Sequence, residues 1–192
     1  MERLVLVTEN ASSNDIIAEC RNGSREAMHE LYVQHQRRVY SIALNFFGGQ
    51  AERAEDVTQQ VFLKLFKKFE FRGDAAFTTW LYRMTINACI DEQRKSKRFL
   101  NYEEWFGFAE PVTKMSLNET MQSRSVSAEV QAVVASLKPK YRVPILLKYV
   151  EELSYQEIAE VMECSIGTVS SRLNRGHKLL AAKLEHLRNE IH

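Results

Sequence analysis

Apolar residues recur at spacings of three and four along almost the whole chain, and this period constrains the fold more than any other feature. Only seven Gly and three Pro interrupt its 192 residues. No segment alternates Val, Ile and Thr with polar residues, as a half-buried strand would. The sequence therefore predicts an all-α protein.

One segment breaks this helical pattern. Residues 99–130 mix aromatic side chains with Gly107, Pro111 and scattered Ser, Thr and Asn. A connection inside a compact domain usually has about 4 to 6 residues, so a segment of this length favours a flexible linker between two small helical domains. We therefore expect domains at residues 14–98 and 131–188 and a linker at residues 99–130, near whose end a helix can resume.

Composition narrows the class of protein. Charged residues make up 27% of the chain and balance to a net charge of +1, as in ordinary globular proteins. No apolar run approaches the ~18 residues of a membrane-spanning helix, and the N-terminus lacks the pattern of a signal peptide. We expect a cytoplasmic protein without membrane insertion.

The sequence contains no pattern typical of a catalytic or metal site. Cys20, Cys89 and Cys164 are far apart, which favours buried small hydrophobic residues over disulfides or metal ligands. The five His show no metal-ligand spacing, and no phosphate-binding Gly-rich loop or nucleophile motif occurs. We expect no enzyme, no catalytic residue, no metal and no cofactor.

The C-terminal block LSYQEIAEVMECSIGTVSSRLNRGHKLLAAKL has the pattern of a helix-turn-helix. Ser154 and Glu157 can form a capping box at the start of one helix. After a turn at residues 163–165, Ser165 can cap a second helix from about Ile166. The apolar residues fall on one face of each helix: Ile158, Val161 and Met162 on the first, and Ile166, Val169, Leu173 and Leu180 on the second.

The remaining positions of the second helix suit the major groove of DNA. They form a stripe of short polar and cationic side chains, which can reach base edges or phosphates: Ser170, Ser171, Asn174, Arg175 and Lys178. Acidic residues concentrate on the first helix and basic residues on the second, so positive charge lies on the expected DNA side. A helical hairpin with a solvated polar face remains an alternative for this block.

A second candidate nucleic-acid surface lies in the first domain, in FRGDAAFTTWLYRMTINACIDEQRKSKR at residues 71–98. Aromatic residues there surround a Gly-containing loop, and the helix that follows ends in basic residues. Rings that stack on unpaired bases and cations that follow the backbone are typical of single-strand binding. Trp80 can equally belong to the core, and Asn87 needs a hydrogen-bond partner if it is buried.

The stretch AEDVTQQVFLKLFKKFEFRGDAAFTTWLYRMTINACIDEQRK, followed by a tether and LSYQEIAEVMECSIGTVSSRL, resembles the extracytoplasmic-function (ECF) sigma factors of bacterial RNA polymerase, which belong to the sigma-70 family. The resemblance covers nearly the whole chain. It implies that the first domain is sigma region 2, which binds the polymerase clamp and recognises and melts the minus-ten element. It implies that the second domain is sigma region 4, which reads the minus-thirty-five element.

The resemblance also assigns roles to residues. The polymerase-binding positions lie on a helix at residues 54–68 and are Asp56, Gln59 and Gln60. The minus-ten positions, some of which match a pocket for a flipped-out base, are Phe71, Arg72, Asp74, Phe77, Trp80, Asn87 and Arg94. The minus-thirty-five positions are the five residues of the stripe. Ser170 stands where many relatives have Arg, and Glu163 stands where many helix-turn-helix turns have Gly.

These observations predict a transcription initiation factor that is a monomer when free. Its expected partners are the clamp and flap of core RNA polymerase, promoter DNA, and an anti-sigma factor that keeps it inactive until a stress or envelope signal. The alternative is a stand-alone helix-turn-helix regulator, which would bind promoters without polymerase, usually as a dimer. That alternative gives the aromatic loop no purpose, and a protein that merely sequesters a sigma factor would not need two DNA-reading surfaces.

Overall fold

The computed structural model describes the backbone of residues 15–106 and 126–185, and the side chains of residues 15–96 and 128–185. Within these ranges the chain forms eight helices and no strand, which confirms the all-α prediction. The helices are α1 (15–21), α2 (Arg25–Phe46), α3 (Ala51–Lys67), α4 (Phe77–Phe106), α5 (Val126–Ser136), α6 (Pro139–Tyr149), α7 (Tyr155–Val161) and α8 (Ile166–Lys183).

Helices α2, α3 and α4 pack against one another and form the N-terminal helical group. Ser24 begins α2 because its hydroxyl oxygen accepts a hydrogen bond from the Ala27 amide at 3.2 Å. Fully buried side chains hold the three helices together, among them Phe46, Val57 and Leu81. The chain leaves α3 at Lys67, and residues 68–76 form the loop that leads into α4.

Helices α7 and α8 form the predicted helix-turn-helix. The amide of Ser154 donates to the Glu157 carboxylate at 2.8 Å, and the Ser154 hydroxyl oxygen accepts from the Glu157 amide at 3.2 Å, so the capping box is present. Ser165 caps α8 by accepting from the Thr168 amide at 3.2 Å. Glu163 in the turn has a φ of 49°, the left-handed conformation that usually favours glycine.

The apolar faces of these two helices form as predicted, with one exception. Ile158, Val161, Val169 and Leu173 are buried between α7, α8 and α6. The prediction was wrong for Ile166, which is 46% exposed. As the first residue of α8 it directly follows the cap, so its side chain lies at the rim of the packed face rather than inside it.

Helical backbone extends into both ends of the segment that the sequence predicts to be a linker. Helix α4 continues to Phe106, because no Gly or Pro interrupts the chain before Gly107. Helix α5 begins at Val126, before the expected start of the second domain. Residues 107–125 lie outside the described part of the chain, and the exact domain boundaries remain a prediction.

Arg142 on α6 connects the N-terminal helical group to the C-terminal helices α5–α8. This side chain is only 2% exposed. Its Nη1 donates to the carbonyl of Phe46 at the end of α2 at 2.7 Å, and its Nη2 donates to the carbonyl of Leu137 after α5 at 2.7 Å. Burial lowers the pKa of Arg142 to about 10, which still leaves the guanidinium charged at neutral pH. The sequence analysis did not single out this residue.

The turn between α2 and α3 approaches α5 so closely that it leaves no room for a side chain. Gly48 has a φ of 64°, and a Cβ atom added there would lie 2.8 Å from Cβ of Ala135. Glycine adopts the left-handed backbone without strain, and because it has no side chain it also permits the close approach of the two groups of helices.

The cysteines agree with the sequence analysis at two of three positions. Cys20 and Cys89 are buried, and all three cysteines are free thiols. Burial is the main reason why the pKa of Cys20 is raised and that of Cys89 is raised to about 12. Cys164 lies in the helix-turn-helix turn and is only partly buried.

The contacts of Arg142 predict a large effect on stability. Arg142→Ala leaves the buried carbonyls of Phe46 and Leu137 without their donors, so we expect the free energy of unfolding to fall by about 2 to 5 kcal/mol. Arg175→Ala is the matched control, because Arg175 is exposed and should change stability by no more than about 0.5 kcal/mol. Urea titration followed by circular dichroism measures both, and equal midpoints for the two variants would contradict the role of Arg142.

Candidate nucleic-acid and polymerase interface

A groove between α2 and α3 has an apolar floor and a polar rim. Its volume is about 800 Å³, and Asp56 and Gln59 lie on its rim. The floor includes the edge-to-face ring pair of Tyr32 and Phe62, whose centroids are 4.8 Å apart, and the 63% exposed side chain of Leu63. A surface of this kind can accept a helix of a partner protein.

Gln60 does not belong to this groove. It follows Gln59 on α3 and is therefore turned by about 100° around the helix axis. The structure places Gln60 in a different cavity, next to Asn87 of α4. The three residues that the resemblance assigns to polymerase binding thus divide between two surfaces.

Four aromatic rings form a cluster beneath the loop at residues 68–76. The ring of Phe71 lies 5.4 Å from that of Phe77 and 5.6 Å from that of Trp80, while Phe69 packs against Phe77 and Trp80. Phe71 and Phe77 are only 9% and 8% exposed, whereas Trp80 is half-buried. Phe71 and Phe77 therefore support the loop from inside, and Trp80 has a ring surface that a ligand can contact.

The loop itself surrounds a cavity of about 440 Å³, which residues 69–75 line together with Trp80 and Arg83. This volume falls in the range of about 300 to 1,000 Å³ that is typical of small-ligand pockets. Arg72 and Asp74 are exposed on the loop. The cavity can thus offer an aromatic wall and both charged and polar groups to a planar base.

A second cavity of about 480 Å³ continues from the loop along α4, and we call it the α4 crevice. Glu70, Trp80 and Arg83 line both cavities, so the two form one path. The α4 crevice is also lined by Gln60, Lys64, Asn87, Asp91, Lys95 and Glu163.

Asn87 is exposed in the α4 crevice, so water can satisfy its amide and no internal partner is needed. Across the described side chains, no buried polar atom lacks a hydrogen-bond partner. Arg94 is exposed on α4 between the crevice-lining residues Asp91 and Lys95 but does not line the crevice itself, and its Nη1 lies 3.5 Å from the Asp91 carboxylate. The positions that the resemblance assigns to the minus-ten element thus comprise exposed polar residues around a largely buried aromatic cluster.

The five residues of the α8 stripe are all exposed and span about 140° of the helix circumference. Val169, Leu173 and Gly176 are buried on the opposite side. The hydroxyl of Ser171 donates to the Thr168 carbonyl at 2.9 Å. Within the described part of the chain, the other four stripe residues make no hydrogen bond or ion pair, so their polar groups are available to a ligand: Ser170, Asn174, Arg175 and Lys178.

Arg83 is a residue of this region that the sequence analysis missed. Its Nε donates to the Glu160 carbonyl at the end of α7 at 3.1 Å, and its Nη1 lies 3.0 Å from the Glu163 carboxylate. Arg83 thereby caps α7 from the N-terminal helical group. Its position four residues before Asn87, and so on the same face of α4, was the available signal.

Glu151, just after α6, forms a second polar contact between the two groups of helices. Its side chain is only 6% exposed, accepts a hydrogen bond from the Tyr82 hydroxyl at 2.9 Å and lies 3.3 Å from Nε of Arg38. Burial raises the pKa of the Glu151 carboxyl, and burial beside this carboxylate raises the pKa of Tyr82 as well.

Other types of site are not observed in the parts that the structure covers. Among the described side chains, at residues 15–96 and 128–185, no group of three or more His, Cys, Asp or Glu could hold a metal ion. None of the described helices is long and apolar enough to cross a membrane.

Comparison with known proteins connects these surfaces to one family. Residues 31–99 match Sigma-70 region 2, and residues 127–180 match Sigma-70 region 4. The loop cavity and α4 crevice are built largely from the first match, and the second match contains α7 and all of α8 except its last three residues.

Curated relatives share this organisation over most of the chain. The ECF RNA polymerase sigma factor SigW of Bacillus subtilis is 29% identical over 180 residues, which are 89% of this chain and 96% of that protein. The ECF RNA polymerase sigma-E factor of Escherichia coli K12 is 28% identical over 193 residues, with 94% of this chain and 98% of that protein covered.

Solved structures support the same fold. CnrH in complex with the cytosolic domain of CnrY has a TM-score of 0.63 at 22% identity, covering 89% of this chain and 96% of that chain. The sigma factor RpoE in complex with the anti-sigma factor NepR from Bartonella quintana has a TM-score of 0.63 at 20% identity, covering 82% of this chain and 96% of that chain. On its sequence matches and its fold, this chain belongs to the sigma-70 family as one of its extracytoplasmic-function members.

Proposed function

We propose that this chain is a transcription initiation factor that binds core RNA polymerase in the cytoplasm and directs it to specific promoters. The observation that carries the proposal is the presence, in one chain, of a groove with an apolar floor and a polar rim, an aromatic-lined path of two cavities and an exposed helix-turn-helix stripe. A stand-alone regulator needs only the last of these. The order of the surfaces along the chain follows the order of regions 2 and 4.

The groove between α2 and α3 is the proposed site for the polymerase clamp. Its apolar floor, with exposed Leu63, offers area for a partner helix, while Asp56 and Gln59 on its rim can set the orientation of that helix by hydrogen bonds. Gln60 lies in the α4 crevice instead, so we propose that it contributes to the DNA path. Contact with the polymerase flap is proposed for region 4.

The loop cavity and the α4 crevice are the proposed minus-ten site. A base that leaves the stack can lie in the loop cavity, against the half-buried ring of Trp80. Asn87 can then bind a neighbouring base edge, while Lys64 and Lys95 in the crevice are placed to attract phosphates. Phe71 and Phe77 position the loop from within the aromatic cluster.

The α8 stripe is the proposed minus-thirty-five site. Arg175 is the one side chain of the stripe that can mark a guanine by a planar bidentate contact, and Asn174 can do the same for an adenine. Lys178 carries a point charge suited to a phosphate. Ser170 is too short to replace the Arg that many relatives have at this position. We therefore expect this chain to prefer a different base from those relatives at that contact.

Regulation by an anti-sigma factor is part of the proposal, with a stress or envelope signal as its trigger. The RpoE structure that shares this fold contains the anti-sigma factor NepR, and the CnrH structure contains the cytosolic domain of CnrY. We propose a comparable inhibitor for this chain, which would otherwise be a monomer when free. No second function is favoured by a specific observation.

Run-off transcription from a promoter library tests the function. With core polymerase, the wild-type chain should yield specific start sites.

Gln59→Ala removes a hydrogen-bonding group from the groove and should weaken core binding by about 2- to 10-fold. Gln60→Ala is the matched control, since it deletes the same amide from the other surface and should leave core binding unchanged. Tight sequence-specific binding by the chain alone at physiological salt would favour the stand-alone regulator.

Promoter melting tests the minus-ten site. Asn87→Ala should impair opening by about 1 to 3 kcal/mol because a base-edge contact is lost, while core binding persists. Asn87 is exposed, so this variant should fold normally, whereas Phe71→Ala would also disturb the buried aromatic cluster. Permanganate footprinting of the holoenzyme measures the effect, with exposed Gln34→Ala on α2 as the control. Normal melting by Asn87→Ala would remove Asn87 from the site.

Selection of the minus-thirty-five element tests the stripe. Arg175→Ala should cost about 1 to 3 kcal/mol and relax preference at one or two base pairs. Lys178→Ala should weaken all promoters nearly equally and lower the salt slope by about one unit. Ser170→Arg should gain affinity for sites with an additional guanine within reach. Lys183→Ala, outside the stripe, is the control. An unchanged selected sequence for both Arg175→Ala and Ser170→Arg would exclude α8 as the reading helix.

A further inference from the structure

Arg21, the last residue of α1, contacts the loop at residues 68–76 through two parts of Phe71. Its Nη2 donates a hydrogen bond to the Phe71 carbonyl, and its guanidinium carbon lies 5.8 Å from the centre of the Phe71 ring. Arg21 lies outside the segment at residues 31–99 that matches Sigma-70 region 2. Neither the sequence analysis nor the family match therefore gives this arginine a role.

Helix α1 holds Arg21 in a fixed place. Ile16, Ile17 and Cys20 on this helix are all buried in the core. The turn that follows closes back onto the helix, because the amide of Gly23 donates to the Cys20 carbonyl at 3.1 Å. The backbone of Arg21 is thus anchored independently of the loop, so its guanidinium can hold the loop in position.

The loop has few other contacts that fix its shape. Apart from the backbone bonds at its two ends, the bond from Arg21 is its only hydrogen bond with the rest of the described chain. Gly73 in its middle has a φ of 88°, and a Cβ atom added there would meet no described atom within 4 Å. The ion pair of Lys68 and Glu70 lies within the loop and is exposed. Such a segment loses conformational entropy when it binds a ligand, unless its shape is fixed beforehand.

The two contacts of Arg21 fix what the aromatic cluster leaves free. Phe77 and Trp80 hold the ring of Phe71, but the backbone can still rotate about the bond between its Cα and carbonyl carbon. The hydrogen bond to the carbonyl restricts this rotation, because the carbonyl belongs to the planar peptide group that leads into the next residue. Residues 72–75, which line the loop cavity, therefore take their direction from Arg21.

We propose that Arg21 is a positioning residue of the minus-ten site, which holds the loop in the shape that accepts an unpaired base. The inference rests on the proposed function. Residues 69–75, Trp80 and Arg83 line the loop cavity, whereas Arg21 lies outside it and acts through Phe71. A guanidinium suits this role because hydrogen bonds from charged donors are stronger than those from neutral ones.

Fork-junction DNA made from a promoter selected in the run-off experiment tests the role of Arg21. In this DNA the minus-thirty-five element is duplex, and the non-template strand of the minus-ten element is unpaired. Fluorescence anisotropy measures its affinity for holoenzyme assembled from the full chain and core polymerase. Replacement of the unpaired bases one at a time by abasic sites identifies the base whose loss weakens wild-type binding most.

Arg21→Ala should weaken binding of the intact fork by about 3- to 20-fold, because the loop must then be ordered at the expense of binding. On the fork that lacks the identified base, the same variant should bind within about 2-fold of the wild type, since no base remains to be positioned. A residue that contacts a phosphate, or that only stabilises the fold, would cost the same on both forks. Arg21→Lys keeps the charge and a donor, so it should restore part of the affinity for the intact fork.

Arg25→Ala is the matched control. Arg25 is exposed at the start of α2 and makes no hydrogen bond, ion pair or ring contact within the described residues, so this variant should bind both forks like the wild type. Equal affinities of Arg21→Ala and Arg25→Ala for the intact fork would overturn the proposal. An equal loss for Arg21→Ala on the intact and abasic forks would also overturn it.

The wild-type chain separates this inference from the proposed function. If its holoenzyme binds the intact fork and no abasic site weakens binding, Arg21 has no base to position, and the inference fails while the proposed function stands. If the holoenzyme binds no fork from any promoter of the library, the proposed function fails, and the role of Arg21 fails with it.

Discussion

The buried guanidinium of Arg142 is the interaction on which the relative placement of all the helices depends. A charged group that leaves water costs free energy unless carbonyl or carboxylate oxygens replace its hydration. Here the replacement comes from Phe46 at the end of α2 and Leu137 after α5, both carbonyls that a helix end would otherwise leave unpaired. One side chain thus satisfies two helix ends and fixes where α6, and with it the helix-turn-helix, meets the N-terminal group.

Local signals in the sequence were sufficient for the helix-turn-helix. The caps at Ser154 and Ser165 act within three residues, and the stripe on α8 follows from helical period alone. The aromatic and basic residues of the segment at 71–98 indicated a second nucleic-acid surface, and the resemblance supplied the groove positions. What the sequence could not supply were contacts between distant residues: Arg83 with Glu163, and Arg142 with Phe46. An arginine that caps a remote helix has no periodic signature, so only the fold reveals it.

The aromatic loop shows a related difference between residue type and residue role. Phe71 and Trp80 are equally capable of stacking on a base and both line the loop cavity, yet Phe71 is only 9% exposed whereas Trp80 is half-buried, so Trp80 offers more ring surface to a ligand. Gln59 and Gln60 differ in the same way, because neighbouring residues on a helix face different cavities. In both pairs the sequence shows which contacts each residue type can make. The surface that each side chain faces depends on how the helices pack.

Glu163 belongs to two structures at once. As a turn residue with a φ of 49° it accepts backbone strain that glycine would relieve, roughly 1 to 2 kcal/mol. As the partner of Arg83 it supplies a carboxylate that glycine lacks. Glycine at this one position would relieve strain inside the turn and, in the same step, remove an ion pair between the turn and a distant helix, so its effect on stability is the difference between a local gain and a long-range loss.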